Sequence, residues 1–121
     1  MAAKMLAKVT DYASALEFLG GEKQKKIGHN TFVKLMADST ICIVLHSTEI
    51  VRYYPNTPVI DLWSDGWNSA TTVHRMHAFT PDFIRVNKRS NNDGEPYILV
   101  TSDKEKAPMA WDGFYPLSLR V

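Results

Sequence analysis

The segment LWSDGWNSATTVHRMH, residues 62–77, holds most of the side chains that could bind a ligand: Trp63, Trp67, Thr71, Thr72 and Arg75. The two tryptophans offer flat apolar faces that stack on nucleobases or other rings. The two threonines fall in the first turn of an expected helix, whose free backbone N–H groups favour an anion such as a phosphate. The arginine, one turn later, would add positive charge. The segment therefore predicts a pocket for a nucleotide, a phosphate or a carboxylate.

The same segment also has a purely structural explanation. Trp63 and Trp67 would be core side chains, and Asp65 with Gly66 would form the turn that ends a strand. Ser69 is a suitable N-cap for the helix that follows. Both interpretations stay open on the sequence alone.

The histidines allow a metal site to be considered. His74 and His77 stand three residues apart on the expected helix and could share a face. A third ligand would be Asp65, His46 or His29. Zinc sites use three or four ligands with recognisable spacing, and the sequence contains neither HExxH nor CxxC. We therefore expect no metal and no cofactor.

Two His-x-Thr triplets begin at His29 and His46 and end at Thr31 and Thr48. If the strands on either side of Asp38 pair as a hairpin, the two triplets lie close together at its open end. Paired units of this kind could act on a phosphoester, with histidine as acid or base and the hydroxyl as phosphate donor. Local hydrogen bonding at the strand ends is the simpler interpretation. His46 and Thr48 are kept as candidate ligand-binding residues, and no catalytic residue is assigned.

Length, composition and charge are those of an ordinary globular domain. The chain has 121 residues, 45% of them apolar and 22% charged, which predicts a single domain over residues 1–121. The net charge of +1 excludes a global basic field that would draw the chain onto nucleic acid. Two short basic runs, at residues 22–26 and 85–89, are interpreted as solvated faces.

The single cysteine and the N-terminal residues bear on location. Cys42 is the one cysteine of the sequence, which excludes an intramolecular disulfide, and its position in an apolar run predicts a buried thiol with a raised pKa. The opening MAAKMLAKVT lacks the apolar core of a signal peptide, and no run of about 18 apolar residues occurs. We expect a cytoplasmic protein without a membrane partner.

The periodicity predicts an α+β fold with a mostly antiparallel sheet of five to six strands. A short helix is expected over residues 10–19, with Thr10 as N-cap and Gly20 as its end. A second helix should follow the Gly66-Trp67 turn, from Ser69 to about Thr80, with Val73 and Met76 facing the core. Strands are expected at residues 30–36, 40–46, 48–54, 59–63, 82–87 and 96–102, with one irregular edge strand within 108–119.

Strand 40–46 is apolar on both faces, so it should be the central and most buried strand. Strand 48–54 follows with no Gly or Pro between, which predicts a bulge or tight turn near Ser47, or one long bent strand. Pro and Asn at 55–58 and the SNNDG run at 90–94 indicate two hairpin turns.

Three motifs together resemble a widespread family of small proteins of bacteriophages and mobile elements. The family signature reads NTxV, then LHxTxIV, then GWxTxTTxxRMN, and the likeness covers roughly residues 28–80. The chain departs from the signature at three places. Ser69-Ala70 stands where the family often has a Thr, Ser47 replaces the frequent Gly after His46, and His77 replaces the Asn after Met76. The resemblance implies a phage accessory protein that acts in a bacterial cytoplasm.

These observations predict a non-enzymatic binding module for a nucleotide or a nucleic-acid segment, with an anti-defence or host-takeover role. One alternative is a protein-interaction module that inhibits a host protein through Tyr53, Tyr54 and the 111–115 tail. Another is a small phosphoesterase or nuclease that uses His29 and His46. Homo-oligomerisation is also open, since an exposed edge strand or the tail could pair two copies.

Overall fold

The computed structural model describes residues 8–104 and 109–121. In these ranges the chain has two helices and nine strands, and the strands form two antiparallel sheets. The predicted α+β class is confirmed, but the predicted number of strands is too low. In chain order the elements are α1 (Tyr12–Leu19), β1 (Gln24–Gly28), β2 (Thr31–Leu35), β3 (Ile41–Leu45), β4 (Thr48–Tyr53), β5 (Val59–Leu62), α2 (Ala70–Ala78), β6 (Ile84–Ser90), β7 (Pro96–Ser102), β8 (Met109–Trp111) and β9 (Leu117–Arg120).

The large sheet has the order β1-β2-β3-β4-β5-β9 and the small sheet the order β6-β7-β8. The core lies between one face of the large sheet, the two helices and the small sheet, all of which contribute to one buried apolar cluster. The prediction that β3 is central and most buried is confirmed, because four of its five residues are buried. The opposite face of the large sheet is called here the outer face. One cross-strand row on it consists of Lys34, Cys42, Arg52, Asp61 and Ser118.

Strand β1 was not expected, because residues 22–26 were interpreted as a solvated basic face. Its residues 24–26 are exposed, and pairing with β2 satisfies their backbone. An edge strand rich in lysine shows no apolar alternation, so periodicity does not reveal it. Charged side chains on an edge strand also oppose pairing with other chains.

Helix α1 begins one residue later than predicted, and the assignment of Thr10 as N-cap is wrong. The cap is Asp11, whose carboxylate accepts a hydrogen bond from the Ser14 N–H at 2.8 Å. The Ser14 hydroxyl in turn accepts from the Asp11 N–H at 3.1 Å, which completes a capping box. Gly20 ends the helix in the left-handed conformation, as predicted.

The turns of the large sheet follow the sequence closely. His46 and Ser47 form the tight turn between β3 and β4. A bulge lies close to this turn in the β3–β4 pair, where the register shifts between Ile43 and Val44. The hairpins predicted at residues 55–58 and 90–94 join β4 to β5 and β6 to β7. The hairpin about Asp38 pairs β2 with β3.

The C-terminal tail differs from the prediction of one irregular edge strand at 108–119. It contributes two strands to different sheets: β8 pairs with β7 in the small sheet, and β9 pairs with β5 in the large one. Residue 108 itself lies outside the described residues. Both strands are short, and Trp111 and Leu119 are buried on them. Sequence pattern gives the side-chain alternation of such pieces but not the sheet that each one joins.

Helix α2 is close to its prediction. Ser69 is the N-cap, and Val73 and Met76 are buried. The helix ends at Ala78 with Phe79 as its C-cap, slightly earlier than the predicted end near Thr80. No helix in the described part of the chain has the length and apolar character needed to cross a membrane.

Candidate functional site

A cavity of about 410 Å³ opens where the β3–β4 turn meets the start of α2. We call it the turn-helix pocket. Apolar side chains and hydroxyl groups line it together with one imidazole and one indole, and none of its lining side chains carries a permanent charge. The lining residues are Leu45, His46, Ser47, Thr48, Ile50, Ser64, Trp67, Ser69 and Thr72.

One wall of this pocket is the two-residue turn between β3 and β4. His46 adopts a positive φ of 57°, and its backbone N–H donates to the Asn30 carbonyl at 2.9 Å. This bond links the turn to the neighbouring turn between β1 and β2. The wall is therefore fixed by backbone pairing, while the His46 side chain remains exposed.

The facing wall is the first turn of α2. The Ser69 hydroxyl accepts a hydrogen bond from the Thr72 N–H at 3.2 Å and lies 3.1 Å from the Thr72 hydroxyl. The cap satisfies the Thr72 amide, and the N–H groups of Ala70 and Thr71 are first-turn groups that have no acceptor within the helix. The pocket thus combines hydroxyls with the positive end of a helix dipole.

Trp67 stands at the rim of the pocket with 69% of its surface exposed, so its assignment to the core is wrong. A hydrogen-bonded loop holds it there. The Ser64 hydroxyl donates to the Asn68 side-chain carbonyl at 2.6 Å, and the Asn68 amide donates to the Asp112 carbonyl at 2.8 Å. A large exposed indole on an anchored loop is available to stack on a planar ligand.

Four of the seven predicted binding residues line the turn-helix pocket: His46, Thr48, Trp67 and Thr72. The other three do not line it. Trp63 is half-buried and lines a cleft on the outer face of the large sheet, and Thr71 is exposed on α2.

Arg75 lies beside the turn between β1 and β2 rather than in the pocket. A Cβ built on Gly28 would stand 3.8 Å from an Arg75 terminal nitrogen and 3.8 Å from the Thr31 Cβ. The Arg75 Nε is buried without a hydrogen-bond partner in the part of the chain that the structure describes. Its guanidinium therefore packs against the sheet end and does not bring charge to the pocket wall.

The remaining histidines have structural surroundings. His74 is exposed, as expected, while the Nδ1 of His77 accepts a hydrogen bond from the Val86 N–H at 3.2 Å and so links α2 to β6. Across residues 8–104 and 109–121, no group of three or more His, Cys, Asp or Glu side chains is arranged to hold a metal ion.

The two His-x-Thr triplets do lie at the same end of the sheet, each as a two-residue turn and the first residue of the next strand. The buried Thr31 hydroxyl donates to the His29 carbonyl at 2.7 Å. This bond confirms local strand-end hydrogen bonding at the first triplet.

Cys42 is buried on β3, and burial raises the pKa of its thiol to about 11. This confirms the expectation of a hidden, protonated sulfur. A thiol of this kind is a poor nucleophile because only the thiolate attacks.

The aromatic patch proposed for protein binding is partly wrong. Tyr53 is 0% exposed and donates from its hydroxyl to the Phe79 carbonyl, and Trp111 is 2% exposed. Phe114 and Tyr115, in contrast, are 68% and 52% exposed. The Phe114 ring packs over Gly66, the residue before Trp67.

A second cavity, which we call the outer-face cleft, was not found from the sequence. It measures about 500 Å³ and is lined by Glu49, Arg52, Tyr54, Asp61, Trp63, Phe114 and Pro116. The i, i+2 spacing of Asp61 on β5 and Trp63 just after it places both side chains on one face. The contribution of Phe114 depends on where the tail returns to the sheet, which the spacing does not reveal.

The fold and these two cavities define a small α+β protein with concave sites built on an antiparallel sheet. A family model described as Kyanoviridae Gp96 protein matches residues 12–114, and the chain belongs to that family. This membership supports the expected likeness to small phage proteins. No curated protein matches the chain, and no solved structure matches it.

Proposed function

We propose that this phage accessory protein is a binding module that takes a nucleotide, or one nucleotide of a nucleic-acid segment, into the turn-helix pocket. The observation that carries the proposal is the exposed Trp67 indole at the rim of a cavity of about 410 Å³. Base stacking on an aromatic side chain contributes about 1–3 kcal/mol per base. The surrounding hydroxyls and the helix N-terminus supply donors for polar groups of the ligand.

We assign each residue a role that suits its position. Trp67 stacks on the base, while Thr48 and Thr72 hydrogen-bond the sugar or phosphate. His46 at the mouth donates or accepts one further hydrogen bond. Thr71 contributes its backbone N–H, and Arg75 supports the sheet end. Because the pocket wall carries no permanent charge, a monophosphate or a nucleoside fits it better than a triphosphate.

The proposed setting is the cytoplasm of the infected host, where the protein would act as an anti-defence or host-takeover factor. Family membership supports this setting at the level of a phage protein. Sequestering a nucleotide or covering a nucleic-acid end requires binding but no turnover. We therefore propose no catalytic step.

A thermal-shift panel tests the proposal. Ligands that bind only the native state raise the melting temperature, by an amount that grows with concentration above the dissociation constant. We expect at least one nucleoside monophosphate or a short oligothymidylate to raise it by several degrees. Trp67→Ala should lower that affinity by about five-fold to a hundred-fold, the equivalent of the stacking energy.

Two variants make the panel specific. Trp63→Phe changes a half-buried tryptophan that lines the outer-face cleft instead of the pocket. This variant should leave nucleotide affinity unchanged. Thr72→Val removes a pocket hydroxyl at nearly constant volume and should weaken binding. A panel in which no nucleotide or oligonucleotide shifts the melting temperature rejects the proposal.

A protein-interaction module is the second candidate function, because three large aromatic side chains are exposed on adjoining loops: Trp67, Phe114 and Tyr115. Exposed aromatic residues are enriched at protein interfaces. This candidate predicts that a host protein co-purifies with the wild type, that Phe114→Ala abolishes the association, and that nucleotides have no effect on it.

A further inference from the structure

The outer-face cleft has a chemistry unlike that of the turn-helix pocket. Its lining combines two carboxylates, one guanidinium and the rings of Tyr54, Trp63 and Phe114. It lies on the face of the large sheet that faces away from the main core.

Two hydroxyl groups hold the side chain of Asp61 in one orientation. The Tyr54 hydroxyl donates to one of its oxygens at 2.6 Å, and the Ser118 hydroxyl donates to the other at 2.5 Å. The bond to Asp61 raises the pKa of Tyr54 to about 12, so the phenol keeps its proton and remains the donor. Each carboxylate oxygen retains a second lone pair for a donor that enters the cleft.

The one cation among the cleft's lining residues is already shared between two other carboxylates. The Arg52 guanidinium lies 2.6 Å from Glu49 and 3.4 Å from Asp38. Hydrogen bonds from Thr40 lower the pKa of Asp38, so this carboxyl is charged. Among the residues that line the cleft, two carboxylates therefore accompany one guanidinium, and that guanidinium is engaged by Glu49 and by Asp38 outside the lining, which leaves one negative charge in the cleft, centred on Asp61. Arg120 lies on the same face but opposite Val59, and it does not line the cleft.

The aromatic walls favour the same kind of occupant. Trp63 stands two residues after Asp61, just beyond the end of β5, and shares its face, and Phe114 from the tail also lines the cleft. A guanidinium can stack on an aromatic face while its N–H groups bond a carboxylate. Phosphate groups and carboxylate ligands would meet the surplus negative charge and be repelled.

We propose that the outer-face cleft binds an arginine side chain presented by a protein partner. The guanidinium pairs with Asp61 and lies against Trp63 and Phe114. The site is separate from the turn-helix pocket, so a partner could be bound while the pocket holds its own ligand. This inference does not depend on the proposed nucleotide function.

A peptide titration followed by NMR tests the proposal. The probes are acetyl-Gly-Arg-Gly-amide and its citrulline counterpart, which keeps the shape of arginine but not its charge. We expect the arginine peptide to shift the Trp63 indole N–H signal in a saturable way at low salt. The citrulline peptide should bind about two-fold to five-fold more weakly, the range expected for one partly exposed ion pair.

Matched variants locate the effect. Asp61→Asn keeps an acceptor for one of the two hydroxyls, lets the other accept from the new amide N–H, and removes the charge. It should reduce arginine-peptide binding to the citrulline level. Asp93→Asn, at the exposed tip of the β6–β7 hairpin, is the control and should bind as the wild type does. Equal binding of the two peptides by the wild type would overturn the proposal even if Asp61→Asn failed to fold. It would also be overturned by unchanged binding to Asp61→Asn, by the absence of saturable shifts with either peptide, or by a nucleoside monophosphate displacing the arginine peptide.

Discussion

At the scale of single residues, burial decides the chemistry of each side chain more than its type does. Cys42 and Trp67 are the clearest pair. The sequence places the cysteine in an apolar run, and the thiol is buried with its pKa raised to about 11. The tryptophan is equally apolar by type, yet it stands 69% exposed because a hydrogen-bonded loop carries it away from the core.

The single cysteine gives a direct test of this burial. At pH 8 the native thiol has about a hundred-fold less thiolate than one at its ordinary pKa of 9.0. We expect native protein to react with an aromatic disulfide reagent at least about a hundred-fold more slowly than protein unfolded in guanidinium. Reaction at the same rate in both states would contradict the buried position of Cys42.

The same thiol adds a pH dependence with a defined sign. Its folded pKa lies above the unfolded value, so between about pH 9 and pH 11 the native state holds a proton that the unfolded chain has lost. The contribution of this thiol to stability is present below pH 9 and falls as the pH rises through that window. In urea unfolding, Cys42→Val should lose less stability than the wild type between pH 8 and pH 10.5.

At the scale of elements, one hydrogen bond joins α2 to the small sheet. The Nδ1 of His77 accepts from the Val86 N–H at 3.2 Å. In an Asn side chain the Oδ1 also branches from Cγ, so Asn can place an acceptor at nearly the same point. His77→Asn should therefore stay close to wild-type stability, whereas His77→Leu should lose about 1 kcal/mol.

Urea unfolding midpoints of these two variants check the prediction. Equal loss of stability in His77→Asn and His77→Leu would show that the acceptor at residue 77 does not matter. The wild type at neutral pH is the reference for both.

The junction between the Trp67 loop and the tail is held by a close backbone approach at Gly113. This residue has φ of 83°, and a Cβ there would overlap the Ser64 hydroxyl. Gly94 has a similar φ of 79° but open space around it. Gly113→Ala should cost the strain of the left-handed backbone, about 1–2 kcal/mol, plus the displacement of the loop, whereas Gly94→Ala should cost the strain alone.

Chemical denaturation of the two glycine variants measures the difference directly. Gly113→Ala should be the less stable by at least about 1 kcal/mol. It should also alter the near-ultraviolet signal of the tryptophans, because the anchored loop carries Trp67. Identical stabilities would mean that the tail does not hold this loop.

The elements show where sequence pattern is sufficient and where it is not. Apolar alternation and turn residues predicted β2 to β7 and α2, since each of these has a buried face of its own. Strand β1 has mostly exposed, basic side chains, so only its pairing with β2 makes it a strand. The N-cap of α1 is Asp11 and not the predicted Thr10. Either residue type can cap a helix, but the Ser14 side chain completes a capping box with Asp11.

At the scale of the whole molecule, the C-terminal tail contributes a strand to each of the two sheets, the six-stranded and the three-stranded one. The tail leaves β8 in one sheet and enters β9 in the other, and this crossing brings Phe114 to the outer-face cleft. Four of the seven side chains predicted from the sequence line the turn-helix pocket. They could be predicted because the turn and the helix start near them have recognisable local sequence signals. Local sequence could not locate the cleft, which three separate parts of the chain build together.

The two cavities lead to different expectations for the whole protein. The turn-helix pocket is uncharged and hydroxyl-lined, which suits a nucleotide, and the outer-face cleft is acidic and aromatic, which suits an arginine. If both proposals hold, the protein could link a nucleotide or nucleic-acid end to a partner protein. Each proposal has its own probe and its own variants, so either can fail without the other.

The most direct test of the central claim is a residue-resolved NMR titration of the isotope-labelled protein with the four ribonucleoside monophosphates and a short oligothymidylate. We predict saturable shifts of the Trp67 indole and of backbone amides at residues 46–48 and 69–72 for at least one of them, and loss of those shifts in Trp67→Ala. No saturable shift with any of these ligands, or shifts confined to the outer-face cleft around Asp61 and Trp63, would contradict the assignment of the turn-helix pocket as a nucleotide site.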